Sequence, residues 1–221
     1  MTKTERRDLP AYSLAEASQY LTIPVSTIRY WSTGRPGGSD SLLIAVQRTP
    51  LALSFRNLVE LHVLGAIRRR FSVSMPSVRK SLNYMRRQFQ VSRPLLAYEF
   101  ETDGVDLFVQ HYGQLINVAQ AGQAEMRDVL AASLRRIERD DHGLPIRLFP
   151  FTRNAIENAP RLVVIDPNIS FGRPVIVGTG IPTQEIAARH KAGESFVELA
   201  GDYGRSVDEI DEAIRCEQRA A

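Results

Sequence analysis

Three times in this chain a serine at the head of an apolar run is followed three residues later by a glutamate: Ser13-Leu14-Ala15-Glu16, Ser195-Phe196-Val197-Glu198 and Ser206-Val207-Asp208-Glu209. Each is a capping box, in which the serine hydroxyl accepts the N3 amide and the glutamate reaches back to the N-cap amide. Pro24 lies beyond the first box and Gly193 just before the second, so the helices are short and their limits are set locally. Short helices at both ends of a chain cannot sustain a coiled coil. They must bury their apolar faces against one another or against the segment between them.

At 221 residues and 43% apolar composition, the chain can build one to three compact domains with a sizeable core. No stretch of 18 or more apolar residues occurs, and the charged start Met1-Thr2-Lys3-Thr4-Glu5-Arg6-Arg7-Asp8 does not read as a secretory signal. One cysteine, Cys216, cannot form an intrachain disulfide, which fits a cytoplasmic protein. His62, His111, His142 and His190 are far apart and show no zinc spacing, so neither metal nor cofactor is expected. The net charge of +3 hides an asymmetry: residues 1–90 carry 14 Lys/Arg against 5 Asp/Glu, whereas residues 91–150 and 151–221 are each net −3. A polyanion partner would meet the front of the chain.

Leu14, Ala17 and Leu21 share one face of the first helix, and Thr22-Ile23-Pro24 breaks it. Ser26 then reads as the cap of a second helix reaching Trp31, followed by a loop rich in glycine and proline at residues 33–40. Residues 42–46 and 51–53 suggest a β-hairpin, and two helices follow, from Ser54 and from near Ser74. In the middle, Asp103-Gly104 between residues 98–102 and 105–110 reads as a hairpin turn. A third strand at 114–119, a helix at 125–139 and a strand at 146–149 would complete a small α+β unit. Strands at 162–165 and 174–177, a helix opened by Pro182 and two capped helices form the end of the chain. The expected fold is α+β and helix-rich, divided at residues 1–92, 93–153 and 160–221.

A short helix, a tight turn and a second helix match a helix-turn-helix, though an ordinary helical hairpin has the same spacing. The hairpin and the basic balance favour the first reading. The second helix would enter the major groove, with Ser26, Thr27, Arg29 and Tyr30 at the DNA, Arg35 flanking it and Arg48 on the wing. The run from Tyr12-Ser13-Leu14-Ala15-Glu16-Ala17 to Ser26-Thr27-Ile28-Arg29-Tyr30-Trp31 resembles the opening of MerR-type winged-helix regulators. Two departures are the long loop at residues 34–39 and the missing C-terminal coiled-coil helix.

Residues Asp166-Pro167-Asn168-Ile169 and Gly172-Arg173-Pro174-Val175-Ile176-Val177-Gly178-Thr179-Gly180-Ile181-Pro182 read as a strand between tight turns feeding a helix. Thr183 stands where a dinucleotide fingerprint needs its third glycine, so a structural turn is the better reading than a nucleotide site. This stretch, with the capped helices after it, is similar to a prokaryotic family of unknown function, DUF433. That resemblance implies a homeodomain-like trihelical end and a role as antitoxin beside a PIN-domain ribonuclease toxin. Gly180 departs from it, because members often carry arginine there.

Taken together, the expectation is a VapB-type antitoxin and not an enzyme. It would bind its own operator DNA as a homodimer repressor and inhibit a PIN-domain toxin through its C-terminal unit, without a membrane. The resemblance implies that a cation plugs the toxin's site; Arg173, Arg189, Lys191, Arg215 and Arg219 are the candidates. A ligand-sensing regulator with a pocket lined by Tyr98, Phe100 and Phe108 is the alternative. A metal-dependent nuclease using Asp208 and Asp211 is a third reading, although acidic residues in a helix's first turn are expected from the helix dipole alone.

Overall fold

In the computed structural model, residues 5–34, 41–45, 47–71, 74–97, 99–116, 120–153 and 159–218 are described. Helix α1, Leu14–Leu21, begins at the closed capping box: the Ser13 amide donates to the Glu16 carboxylate at 2.8 Å and the Glu16 amide to the Ser13 hydroxyl at 3.2 Å. Thr22, in left-handed backbone, ends it. Helix α2, Val25–Thr33, follows Pro24, which occupies the N-cap, so Ser26 lies inside the helix and does not cap it. Proline fits here because the first amides of a helix have no intrahelical acceptor.

The expected strand at 42–46 is not one. Leu42 and Leu43 are both buried, which the two-residue alternation of a half-exposed strand forbids. Their amides instead donate to the Trp31 carbonyl at 2.8 and 3.1 Å, folding the segment back onto α2. Position 46 lies outside the described residues. The hairpin is shorter and later: β1, Gln47–Arg48, pairs antiparallel with β2, Leu51–Ala52. Tyr12 bridges to Leu53 and adds the N-terminal segment as a third, short partner.

Helix α3, Phe55–Arg70, is the centre of the molecule. From Leu58 to Ile67 it is buried on every side, as expected of a helix surrounded by others. Helix α6, Gln120–Leu134, packs on it, α5, Val105–Ile116, packs on α6, and α4, Met75–Phe89, packs on α5. Here the expected hairpin about Asp103-Gly104 is overturned. Residues 100–104 form a π-helical turn running directly into α5. The buried set Phe100, Gly104, Val105, Phe108, Val109 and Tyr112 follows the helical period. Gly104 serves close packing: a Cβ there would lie 3.1 Å from the Glu99 carbonyl and 3.2 Å from Met85.

The strand expected at 114–119 is likewise helical through Ile116, and positions 117–119 lie outside the described residues. The helix expected at 125–139 starts earlier and stops at Leu134, because Ile137–Arg139 forms β3, antiparallel to β4, Pro145–Leu148. The strand expected at 146–149 is thus present. Strands β5, Val163–Val164, and β6, Val175–Ile176, lie where strands were expected, and they pair antiparallel. They lead to α7, Thr183–Lys191, α8, Phe196–Tyr203, and α9, Val207–Gln218. Both C-terminal capping boxes close. The result is a helix-rich α+β fold with small antiparallel sheets. One core runs from Tyr12 to Ile165, and a smaller one joins Ile176, Ile186, Leu199, Ile210 and Ile214 of the trihelical end.

Candidate nucleic-acid interface and the C-terminal unit

Helix α2 is two-faced. Ile28, Trp31 and Ser32 point into the core, and Thr27, at 7% exposure, lies with them. Val25, Ser26, Arg29 and Thr33 are exposed on the opposite side, with Tyr30 between the two. Of the residues predicted for DNA contact, the structure therefore places Ser26 and Arg29 on one open helical face and sets Thr27 behind it. Arg48 is exposed in β1, one residue before the hairpin tip at Thr49-Pro50. Arg35 lies outside the described residues.

The cations at and just beyond the basic front of the chain are not equivalent. Arg7 binds Glu5 and Asp140, Arg56 binds Asp8, and Arg86 and Arg93 are built into the fold. Arg29, Arg48, Lys80 and Arg87 are exposed and enter no ion pair among the described residues. Arg6 and Arg68 are exposed as well, so these residues, rather than Arg7, Arg56 and Arg86, are available to an external anion.

Arg86 and Arg93 take part in a feature that the sequence did not reveal. The segment between α2 and the hairpin has no strand ladder to satisfy its carbonyls. Arg86 donates to the Leu42 carbonyl at 2.9 Å, while Arg93 and Asn57 donate to the Ile44 carbonyl at 2.7 and 2.8 Å. Behind them, Glu60 accepts from Arg93 at 2.7 Å and from Asn57 at 3.1 Å. Glu60 is 3% exposed, and burial pushes its carboxyl up to about 7 in spite of Arg93, Asn57 and Arg86, all of which favour its charge. This polar staple, drawn from α3, α4 and the turn after α4, fixes the chain leading into the β1–β2 hairpin. The four residues are scattered over residues 57–93, with no periodic signal that would have marked them.

The C-terminal cations also differ from one another. Arg189 is held by Glu194 and Asp202 and lies over the Tyr203 ring at 5.2 Å, and Arg215 binds Asp211 at 2.7 Å. Arg173 and Lys191 are exposed and make no ion pair among the described residues. Arg219 lies outside the described residues. The carboxylates of α9 are similarly engaged. Glu209 closes the Ser206 box, which with Arg205 holds its carboxyl below the usual range; Asp211 meets Arg215; and Glu212, fully buried, meets Arg153. Among the described residues no group of three or more His, Cys, Asp or Glu is placed to hold a metal.

The glycine-rich turn before α7 is internally satisfied. The Thr179 hydroxyl donates to the Ile176 carbonyl at 2.8 Å and accepts the Ile181 amide at 3.1 Å. Phe100 and Phe108, expected to line a ligand pocket, are fully buried against each other with ring centroids 6.0 Å apart, while position 98 lies outside the described residues. No helix among the described residues is long and apolar enough to cross a membrane.

The trihelical end docks directly on α1 and the segment before it. Tyr12 donates to the Gly172 carbonyl at 3.0 Å, and Gln19 of α1 donates to the carbonyl and carboxylate of Glu217 on α9. A Cβ on Gly172 would lie 2.4 Å from the Tyr12 hydroxyl, so the two parts meet at backbone distance.

Residues 163–215 match the model of the DUF433 family, described as a protein of unknown function. Along most of its length the chain is 29% identical to a protein of Mycobacterium tuberculosis named "Putative antitoxin VapB45", the match covering 95% of this chain and 94% of that one. It is 28% identical to "Uncharacterized protein Rv2308" of the same organism, covering 97% and 92%. The crystal structure of Rv2018 from Mycobacterium tuberculosis, 25% identical, superposes with a TM-score of 0.69 over 95% of this chain and all of that one. The chain is thus antitoxin-like over nearly its whole length, with a C-terminal segment that matches DUF433.

Proposed function

We propose that this chain is a type II antitoxin of the VapB sort: its C-terminal unit binds and inhibits a PIN-domain ribonuclease toxin, and its helix-turn-helix represses the operon encoding the pair. The observation that carries this reading is similarity to a named antitoxin across both ends of the chain, rather than in the C-terminal segment alone. The open face of α2, with Ser26 and Arg29, supports the DNA-binding half. In such motifs the second helix presents its first residues to base edges, and an arginine there can pair with guanine. Arg48 on the hairpin is available to phosphate. Operators are commonly palindromic, so the chain binds as a homodimer. The protein acts by binding, without catalysis of its own.

The test is co-expression of the tagged full chain with the product of the neighbouring reading frame. A stable complex in which that product's ribonuclease activity is lost, and which retards promoter DNA, is the expected result. Failure to form a complex removes the antitoxin half, and failure to retard DNA removes the repressor half.

A further inference from the structure

The turn between β5 and β6 carries the most exposed large apolar side chain among the described residues, Phe171, at 88%. Its backbone is unusual. Ser170, Phe171 and Gly172 all have positive φ, at 46°, 57° and 80°. Left-handed backbone suits glycine and is unfavourable for a residue with a Cβ, an aromatic one above all. Phe171 gains no burial within the fold in return.

Both sides of the turn are anchored. Tyr12 donates to the Gly172 carbonyl at 3.0 Å, and the Ser170 hydroxyl donates to the Gly180 carbonyl at 3.0 Å. The Tyr12 hydroxyl packs so closely that Gly172 admits no side chain. The ring is therefore displayed on a turn that cannot relax to bury it. Strained, over-determined backbone of this kind is found where a molecule makes contact with something else. Two residues on, Arg173 is exposed without an ion pair among the described residues, and Arg6, also exposed, reaches the neighbouring Asn168 carbonyl at 3.4 Å.

We infer that Phe171 and Arg173 are the anchor by which this chain docks its protein partner, and that the partner offers an apolar pocket for one aromatic ring beside carboxylates. This deepens the antitoxin reading and rests on it. A buried aromatic with an adjacent arginine is the composition of an interface hot spot. A second copy of the chain is a poorer occupant: a two-fold contact through this turn sets Arg173 near its own equivalent, where like charges repel.

The experiment uses full-length chains and the partner purified from the wild-type complex, with affinities measured by calorimetry. Phe171→Ser and Phe171→Gly should each weaken binding about 30-fold or more. Arg173→Glu should weaken it about tenfold, less so as salt is raised. Val197→Ser, at the exposed Val197 of α8, should leave it unchanged. Phe171→Gly should melt no lower than wild type, because glycine accepts that backbone freely. Poor binding by a chain that folds at least as well would separate docking from a structural role. If both Phe171 variants bind as tightly as wild type, the anchor is refuted while the antitoxin reading stands. If the wild-type chain yields no partner, both fall. If the variants keep their affinity but lose self-association in the ultracentrifuge, a second copy occupies the turn and the inference is overturned.

Discussion

Replacing Glu60 by glutamine should stabilise the protein at alkaline pH and leave it nearly unchanged in mild acid. Glu60 is buried beside Arg93, which would ordinarily lower its pKa, yet desolvation prevails and the carboxyl rises from 4.5 to about 7 on folding. A group whose pKa is raised by folding contributes its full stability below the unfolded value and loses it as pH climbs through the folded one. The window is therefore about pH 4.5 to about pH 7. At about 1.4 kcal/mol per pH unit, the folded state loses on the order of 3 kcal/mol across it. Glutamine keeps an oxygen for Arg93 and Asn57 but has no charge to desolvate, so it removes this slope. Urea unfolding of wild type and Glu60→Gln at about pH 5 and about pH 8 measures the difference, and other titrating groups cancel between the two chains. A variant less stable at the higher pH, with the wild-type slope intact, would mean that the Arg93 ion pair outweighs desolvation and that the reasoning is wrong. Because the staple leads into the β1–β2 hairpin, which the proposed function gives to DNA, retardation of promoter DNA by the same variant reports whether its charge also matters for hairpin position.

Arg136 is 4% exposed and donates to the carbonyls of Phe149, Pro150, Ala159 and Pro160; Arg136→Met should cost about 3 kcal/mol or more in chemical denaturation, since several buried carbonyls lose their donor. A loss below about 1 kcal/mol would show that water satisfies them. Gly172→Ala combines a φ of 80° with a Cβ placed 2.4 Å from the Tyr12 hydroxyl, so it should lower stability by about 2 kcal/mol or more, and unchanged melting would mean that the two parts are not in contact in solution. Arg29→Ala should weaken operator binding by about 1–3 kcal/mol with wild-type stability, whereas Thr27→Val should act on stability first; gel retardation alongside thermal melts separates the two. Operator affinity should also fall steeply with salt, and a flat response would remove phosphate contact as its source.

Much of the fold could be read locally, and the particular elements show why. The capping boxes at Ser13, Ser195 and Ser206 are contacts within four residues, so they predict the starts of α1, α8 and α9 without knowledge of the rest. The strands β5 and β6 were equally visible as apolar runs beside Pro and Gly turns, whereas their pairing came from the structure. The hairpin expected about Asp103-Gly104 failed because a turn dipeptide states only a local preference. Contact with Phe100 and Met85 required a glycine inside a helix at that place. Leu42 and Leu43 failed as a strand for a similar reason: the acceptor of their amides is Trp31, on another element.

The candidate site divides in the same way. The residue types at Ser26, Arg29 and Arg48, and the family resemblance, were present in the chain as written; which of them face outward was not. The +9 balance of residues 1–90 said that a polyanion would meet the front, but not that Arg7, Arg56 and Arg86 are occupied within the fold. Likewise five C-terminal cations were equivalent until Arg189 and Arg215 were seen with carboxylate partners. The sequence by itself determined what depends on neighbours a few residues away: the helix starts at the capping boxes, the tight turns near the end of the chain and the overall charge asymmetry. Tertiary structure decided what depends on groups distant along the chain, namely the Glu60 staple, the seat of Gly172 against Tyr12 and the exposure of Phe171. Burial and charge pairing belong to the surroundings of a residue, and those exist only once the chain has folded.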